Sequence, residues 1–251
     1  MIIYSPLEQF CINSLIRFEL CHISLSFTNS SLFMLISCTL MYFIYSISIY
    51  KATIIPNNWQ FGLEYLYDFI VTVLIQSVTN KKEATKYFPF MFFLFSFVLF
   101  SNLVGMVPYS FCITSHLCIT FTLGLIIWFG TLIIGLKTHG LHFFSLFMPS
   151  GAPFGIMPFL IGIELLSFIF KGISISVRLF ANMMAGHSLL KILAGFAWTM
   201  LSAGTLGIFG AGITLSVVFI ISGLEFGIAF LQAYVFTMLS CMYLNDCIAL
   251  H

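Results

Sequence analysis

The stretch Phe159–Ala194, FLIGIELLSFIFKGISISVRLFANMMAGHSLLKILA, contains no proline and no cluster of turn residues. It predicts one helix of roughly 35 residues, about 50 Å long at a rise of 1.5 Å per residue. The hydrocarbon core of a bilayer is only about 30 Å thick. A membrane helix of this length must therefore be strongly tilted or bent.

The composition of the whole chain supports a membrane location. Of its 251 residues 61% are hydrophobic and 7% are charged, whereas soluble domains carry about 25% charged residues. The formal net charge of +1 leaves no basic field for nucleic acid. The seven cysteines show no zinc-type spacing, so neither a metal nor another cofactor is expected. The sequence predicts a polytopic membrane protein.

The N-terminal segment, residues 1–28, has the pattern of neither a secretory signal nor a transit peptide. A signal needs a basic region followed by an apolar one, but here Glu8, Arg17 and Glu19 interrupt the apolar residues. We expect an arm that lies outside the bilayer.

The remaining sequence predicts a single all-α transmembrane domain over 29–251. About five helices are embedded in the membrane, and one amphipathic helix, with Glu64 and Asp68 on one face, lies at its interface. The predicted elements are a span at 31–50, the interfacial helix at 59–79, a hairpin of spans at 88–107 and 117–136, and a long tilted hairpin of 159–194 and 200–245.

The distribution of basic residues predicts the orientation. Two connecting segments, 51–86 and 137–158, contain lysines, whereas the loops 108–116 and 195–200 contain neither Lys nor Arg. Basic loops face the cytoplasm or its equivalent. Five crossings then place the N-terminus outside and the C-terminus inside. The lysines are Lys51, Lys81, Lys82, Lys86 and Lys137.

The two long helices carry polar residues with regular phases. Glu164, Lys171 and Arg178 follow one another at intervals of seven, so they drift by only about 20° per step, and Asn182 returns to the phase of Glu164. His187 lies about 13 Å beyond Arg178 and on roughly the opposite face. On the last helix Glu225 and Gln232 are also seven apart and share a face.

These residue types are suited to proton transfer within a membrane. Glu and His can load and release protons, whereas Arg stays protonated in proteins and would interrupt a proton wire. Structural roles remain open for several of them: Lys191 could snorkel to the interface, Lys171 could pair with Glu164, and His187 and Glu225 could be buried hydrogen-bonded groups. Asp246, His251, Glu64 and Asp68 are expected to be solvated or interfacial.

Four motifs resemble subunit a of the ATP synthase membrane sector. They are SVRLFANMMAGHSLLKILAGF at 176–196, LEFGIAFLQAYVFTMLSCMYLND at 224–246, SNLVGMVPYSF at 101–111 and GIELLSFIFKGISISVRLF at 162–180. The resemblance extends from about residue 5 to the end of the chain. The AGH after the arginine, together with a glutamate on the last helix, is similar to the mitochondrial type.

The resemblance implies a non-catalytic, proton-translocating stator subunit that faces a rotating ring of small hairpin c subunits. It assigns an essential role to Arg178, and implies that Asn182 and Gln232 lie close to it. His187 and Glu225 match the proton pathway from the intermembrane space. Glu164 matches the pathway toward the matrix, and Asn102 matches a polar residue near these routes. The family gives no role to Lys171 or Lys191.

Two other functions remain as alternatives. A proton-coupled secondary transporter should show an internal repeat with matching broken helices, and the sequence shows none. A structural membrane subunit of a respiratory complex would tolerate apolar replacement of Arg178 and its polar stripe. Co-purification with a ring of hairpin proteins would separate both from a stator subunit.

Overall fold

The structure is a computed structural model that describes residues 5–20, 23–50, 52–78, 81–140, 142–143, 156–202 and 204–248. The described chain is dominated by helices, which confirms the predicted all-α class of polytopic membrane protein. Six α-helices follow one another in the described residues. They are α1 (Asn29–Ile49), α2 (Asn58–Ser77), α3 (Lys81–Gly105), α4 (Leu117–His139), α5 (Met157–Leu201) and α6 (Thr205–Ile248).

The N-terminal arm contains a small β-hairpin that the sequence analysis did not anticipate. A short 3₁₀ turn, Pro6–Phe10, precedes strands β1 (Ser14–Leu20) and β2 (Ile23–Thr28), which pair in antiparallel fashion. Both strands alternate apolar and polar residues, as in Ile-Arg-Phe-Glu-Leu and Ile-Ser-Leu-Ser-Phe, and this period of two is the signature of a strand. The location of the arm outside the bilayer stays a prediction.

The central hairpin helices are longer than the sequence analysis predicted. Helix α3 begins at Lys81 rather than at residue 88, because the Lys, Glu and Ala residues that suggested a loop are good helix formers. Helix α4 continues beyond residue 136 to His139, since basic side chains in a last turn complement the helix dipole. It ends at Gly140, whose φ of 56° favours glycine.

The two C-terminal helices are also longer than predicted. Helix α5 has 45 residues, or about 68 Å at 1.5 Å per residue. It continues through 195–200, where a loop was expected, because a lone glycine such as Gly195 costs a helix only about 1 kcal/mol. The break comes at Gly204, with φ of 86°. The strong tilt of α5 and α6 relative to the membrane normal stays a prediction.

Five of the described helices are long and apolar enough to cross a membrane: α1, the Thr85–Gly105 part of α3, α4, α5 and the Gly207–Ile248 part of α6. Helix α2 is not among them, as expected for its more polar sequence. In the most apolar windows of α1 and α6, only 11% of the residues are buried inside the chain. Lipid or other chains must cover the rest, because water could not solvate so much apolar surface.

The described chain groups into two compact units. Unit 1 consists of the described parts of Met1–Tyr42, Phe97–His116 and Leu179–Ala233. Its interior includes a cluster of Cys112, Met183 and Ala229. This cluster brings the loop after α3 against the C-terminal half of α5 and the middle of α6.

Unit 2 consists of the described parts of Phe43–Ser96, Leu117–Arg178 and Tyr234–His251. Its main cluster is formed by Leu74, Val78, Met91, Cys241 and Leu244. The cluster packs α2 and α3 against the C-terminal end of α6. The division cuts through α5 and α6, and the predicted single domain over 29–251 stays a prediction.

Within unit 2, helices α4 and α5 approach each other closely at two glycines. The indole Nε1 of Trp128 donates to the carbonyl oxygen of Phe168 at 3.0 Å, and the Trp128 ring occupies the space where Gly172 would carry a Cβ. A Cβ on Gly124 would overlap Ser176 Oγ and lie 3.1 Å from the Gly172 oxygen. These helices can pack at this distance only because small residues line the contact.

We expect Gly124→Ala to destabilise the protein by about 1–3 kcal/mol, because the added methyl group must push α4 away from the α5 backbone. Gly130→Ala is the matched control on the same helix, since its Cβ would meet nothing within 4 Å. The measurement is thermal unfolding in detergent. Equal unfolding temperatures for the two variants would contradict the close contact.

Candidate functional site

The predicted polar residues of the fifth helix all lie on α5, which is continuous from Met157 to Leu201. The side chains of Glu164, Arg178 and Asn182 are exposed on this chain, and Lys171 is half-buried. Exposed polar groups on a helix this apolar need water, lipid head groups or another protein chain as partners. Helix α5 therefore presents polar groups to its surroundings.

Lys171 has a different partner from the one that its spacing suggested. Its Nζ lies 2.9 Å from Asp246 Oδ2 and forms an ion pair across to the end of α6. The same ammonium group lies 5.7 Å from the centre of the Tyr243 ring. The expected pairing of Lys171 with Glu164 is not found among the described residues, and Asp246 is not simply solvated. The reason is geometric, because residues seven apart on a helix lie two turns apart, or about 10.5 Å.

Arg178 has no hydrogen bond or ion pair with any described residue. Its guanidinium group cannot lose its proton in a protein, and it is exposed on an apolar helix. A permanent positive charge at such a place is costly unless something outside the helix compensates it. The arrangement suits an anionic group that another chain supplies.

His187 and Glu225 line one cavity in unit 1, between α5 and α6. The cavity has a volume of about 240 Å³, which is room for several water molecules. Asn182, Gly186 and Met106 also contribute to its wall. The structure thus brings together the two residues that the family resemblance places on one pathway.

Glu225 is buried in this cavity wall, with only 6% of its surface exposed. Neither of its carboxyl oxygens has a hydrogen-bond partner among the described residues, and the same holds for Nε2 of His187. Buried polar atoms without protein partners are rare, and each needs an explanation such as a bound water or a chemical role. Such a carboxyl and imidazole, facing a cavity that can hold water, are suited to pass protons to and from water.

Gly186 is what allows the Glu225 side chain to lie against α5. A Cβ at this position would come within 2.6 Å of Glu225 Oε1 and 3.0 Å of its Cδ. In the sequence, Gly186 is distinguished only as part of the AGH motif. The glycine matters because of its contact with Glu225, 39 positions later in the chain. The periodicity of a single helix does not predict such a contact.

Asn182 and Gln232 form a pair within unit 1. The Asn182 Nδ2 donates to Gln232 Oε1 at 2.9 Å, and Gln232 is almost fully buried. The two amides therefore bind each other across α5 and α6. Whether they lie close to Arg178 stays a prediction.

Asn102 is completely buried and makes two hydrogen bonds. Its Nδ2 donates to the carbonyl oxygen of Ala229 at 3.2 Å, and its Oδ1 accepts from the hydroxyl of Thr114 at 2.8 Å. The sequence analysis predicted a polar role for Asn102 but missed Thr114. An amide with both ends occupied in this way has the environment of a fixed structural group.

The site contains no evident metal centre in the part of the chain that is described. No group of three or more His, Cys, Asp or Glu side chains lies close enough there to hold a metal ion. What the residues offer is a buried acid and imidazole at a cavity, a fixed positive charge, and neutral amides.

We expect the ion pair of Lys171 and Asp246 to be measurable in a double-mutant cycle. With side chains that are 34% and 46% exposed, the coupling of Lys171→Met and Asp246→Asn should be about 0.5–1 kcal/mol. The measurement is the free energy of unfolding in mild detergent. The control cycle pairs Lys171→Met with Glu164→Gln and should give a coupling near zero. A larger coupling in the control cycle would contradict the observed pairing.

We expect Gly186→Ala to displace the Glu225 carboxyl group, because the methyl group and the carboxyl oxygen cannot share the space. The side chain must then take a less favourable rotamer, at a cost of about 0.5–1.5 kcal/mol. Gly195→Ala on the same helix is the control, since its Cβ would meet nothing within 4 Å. Unfolding measurements and a structure of each variant test this. An unmoved carboxyl group in Gly186→Ala would show that the contact is not limiting.

The chain is similar to known proteins over nearly its whole length. The family profile described as ATP synthase A chain matches residues 31–245. Three relatives are each named "ATP synthase subunit a". The protein of Chondrus crispus is 50% identical over 100% of this chain and 98% of its own length. That of Marchantia polymorpha is 47% identical over 98% and 99%, and that of Rhodospirillum rubrum is 44% identical over 99% and 100%. The chain therefore belongs to the ATP synthase A chain family.

Proposed function

We propose that this chain is the proton-conducting stator subunit of an ATP synthase. It provides two offset proton half-channels to a rotating ring of c subunits, and Arg178 separates them. The chain couples proton flow to rotation, while the phosphate chemistry belongs to other subunits of the complex. Its partners are the ring, the other stator subunits and the lipid bilayer.

The observation that carries this proposal is the guanidinium group of Arg178, which is exposed on α5 and has no hydrogen bond or ion pair with the described residues. A fixed cation on an apolar helix favours an anion that arrives from outside. A carboxylate on a ring subunit fits this requirement, because it can be ionised beside Arg178 and protonated elsewhere. The arginine itself cannot carry the proton onward.

The cavity of His187 and Glu225 supports a proton pathway from the intermembrane side. Both side chains can exchange protons, and the cavity can hold water. Glu164 lies 14 residues before Arg178 on α5 and is exposed. It is the acid that we assign to the pathway toward the matrix.

The mechanism follows from the cost of charge in lipid. A proton that passes Glu225 and His187 neutralises a ring carboxylate, which can then turn through the lipid, whereas an ionised one could not. After nearly a full turn it reaches the exit near Glu164 and ionises beside Arg178. The membrane potential supplies about 2.3 kcal/mol per charge and 100 mV, and the offset of the two pathways makes the rotation directional.

We place the chain in the mitochondrial inner membrane, with the N-terminus toward the intermembrane space and the C-terminus toward the matrix. The lysines of the segments 51–86 and 137–158 support this orientation. The mitochondrial assignment rests on the AGH motif and on the glutamate of the last helix.

Arg178→Ala should abolish proton-driven ATP synthesis, because Arg178 is the group that we assign to hold the ring carboxylate ionised and to prevent a proton leak between the half-channels. Lys191→Ala is the control on the same helix and should keep most of the activity. ATP synthesis and ATP-driven proton pumping are measured in reconstituted liposomes. Normal pumping by Arg178→Ala would overturn the proposal.

His187→Ala and Glu225→Gln should slow proton uptake by about 10²–10⁴-fold if each acts as an acid–base group, while assembly of the complex stays close to normal. Glu64→Gln on α2 is the matched control, because this glutamate is exposed and hydrogen bonded to Gln60. The measurement is the rate of passive proton flux and of ATP synthesis. Unchanged flux in both variants would remove these residues from the pathway.

A further inference from the structure

The loop between α3 and α4, residues 106–116, folds back tightly on the end of α3. The Ser110 hydroxyl donates to the carbonyl oxygens of Val104 and Gly105 at 2.6 and 3.0 Å. A Cβ on Gly105 would lie only 2.9 Å from Cys112 Sγ. The loop therefore has little freedom to move relative to the helix that precedes it.

This loop holds the side chain of Asn102 in one orientation. Thr114 is 3% exposed, and its hydroxyl donates to Asn102 Oδ1 at 2.8 Å. Because a hydroxyl donor binds the oxygen of the amide, the nitrogen is directed to the opposite side. There Asn102 Nδ2 donates to the backbone oxygen of Ala229 at 3.2 Å.

The carbonyl that receives this bond belongs to the functional face of α6. Ala229 lies four residues after Glu225 and three before Gln232, so the three residues share one face of the helix. All three are buried. The same alanine packs with Cys112 of the loop and with Met183 of α5, and Met183 also lines the cavity of Glu225.

We propose that Thr114 and Asn102 form a clamp that fixes α6 at Ala229 and so sets the position of Glu225 in its cavity. Both are positioning residues, and Asn102 is not itself a carrier of protons. The amide does not titrate near neutral pH, and both of its ends are occupied by protein groups. This inference rests on the proposed proton-pathway role of Glu225.

A hydrogen bond is needed here because apolar packing alone specifies helix position weakly. In a membrane there is little hydrophobic force between helices, and neighbouring apolar faces can slide or rotate. A bond from a fixed amide to one backbone oxygen selects a single rotation and height of α6. Ala229 is small enough to let the Asn102 side chain reach that oxygen.

The experiment uses the complete ATP synthase carrying Thr114→Val, reconstituted into liposomes and driven by an imposed proton gradient. Valine has the shape of threonine without the hydroxyl. We expect the proton concentration for half-maximal ATP synthesis on the inlet side to shift by at least about threefold. That factor is what an average hydrogen bond between membrane helices is worth. The amount of assembled complex should be unchanged, and Thr114→Ser, which keeps the hydroxyl, should restore the wild-type value.

Ser115→Ala is the matched control in the same loop. Ser115 is equally buried, and its hydroxyl donates to the Cys112 oxygen at 2.6 Å, so its loss tests the folding of the loop without touching the clamp. We expect no shift of the half-maximal proton concentration. An equal shift in Ser115→Ala and Thr114→Val would overturn the clamp, because loop folding alone would then explain the result.

A Glu225→Gln variant separates failure of the clamp from failure of the proposed function. If Glu225→Gln is defective while Thr114→Val matches the wild type in rate and in proton dependence, the clamp is overturned and the pathway stands. If Glu225→Gln synthesises ATP at the wild-type rate, the pathway role of Glu225 is overturned, and with it the purpose of the clamp.

Discussion

The constraint on which the structure depends is that every polar group on an apolar helix must find a partner, because lipid offers none. Among the described residues, many Ser and Thr hydroxyls meet it by donating to a carbonyl oxygen of their own helix, and other polar groups meet it in pairs between helices. Lys171 binds Asp246, Asn182 binds Gln232, and Asn102 binds the Ala229 carbonyl. Each pair fixes one helix against another. It also gives a partner to polar groups whose burial without one would cost free energy.

Several described groups break this rule, and three of them are groups that we assign to the proton pathways. Among the described residues, Gln9 Nε2 and Ser101 Oγ lack a hydrogen-bond partner. Arg178 has no hydrogen bond or ion pair with a described residue, and Glu225 and His187 have buried atoms without a hydrogen-bond partner at a cavity. A stable pair would hold these groups in one charge state or one position. A group that must receive and release protons, or meet a partner that comes and goes, has to remain unpaired within its own chain. The amides of Asn102, Asn182 and Gln232, by contrast, are hydrogen bonded within the chain and hold the helices in position.

Helix existence and order followed from the sequence, because long apolar runs and turn residues report directly on local structure. The predicted helix ends were less accurate. Lys81 and Lys82 suggest a loop although lysine favours helix, and Gly195 suggests a break although one glycine rarely ends a helix. The alternation of apolar and polar residues in 14–28 indicates the β-hairpin, but the charges of this segment led only to the prediction of an arm outside the bilayer. Pairs such as Lys171 with Asp246 join residues 75 positions apart. The sequence does not predict them, because the phase of a residue on its own helix does not determine which face of another helix it contacts.

The great length of α5 has a consequence for the proposed mechanism. Glu164, Arg178 and His187 lie on one continuous helix. Arg178 comes 14 positions after Glu164 and His187 comes 9 positions after Arg178, or about 21 Å and 13 Å along the helix axis. A helix that crosses the hydrocarbon core of about 30 Å perpendicularly could not hold both Glu164 and His187 inside that core with Arg178 between them. A longer, inclined helix can hold the two proposed proton pathways apart, with the fixed positive charge of Arg178 between them. We therefore regard the length of α5 as suited to the two-pathway coupling that we propose.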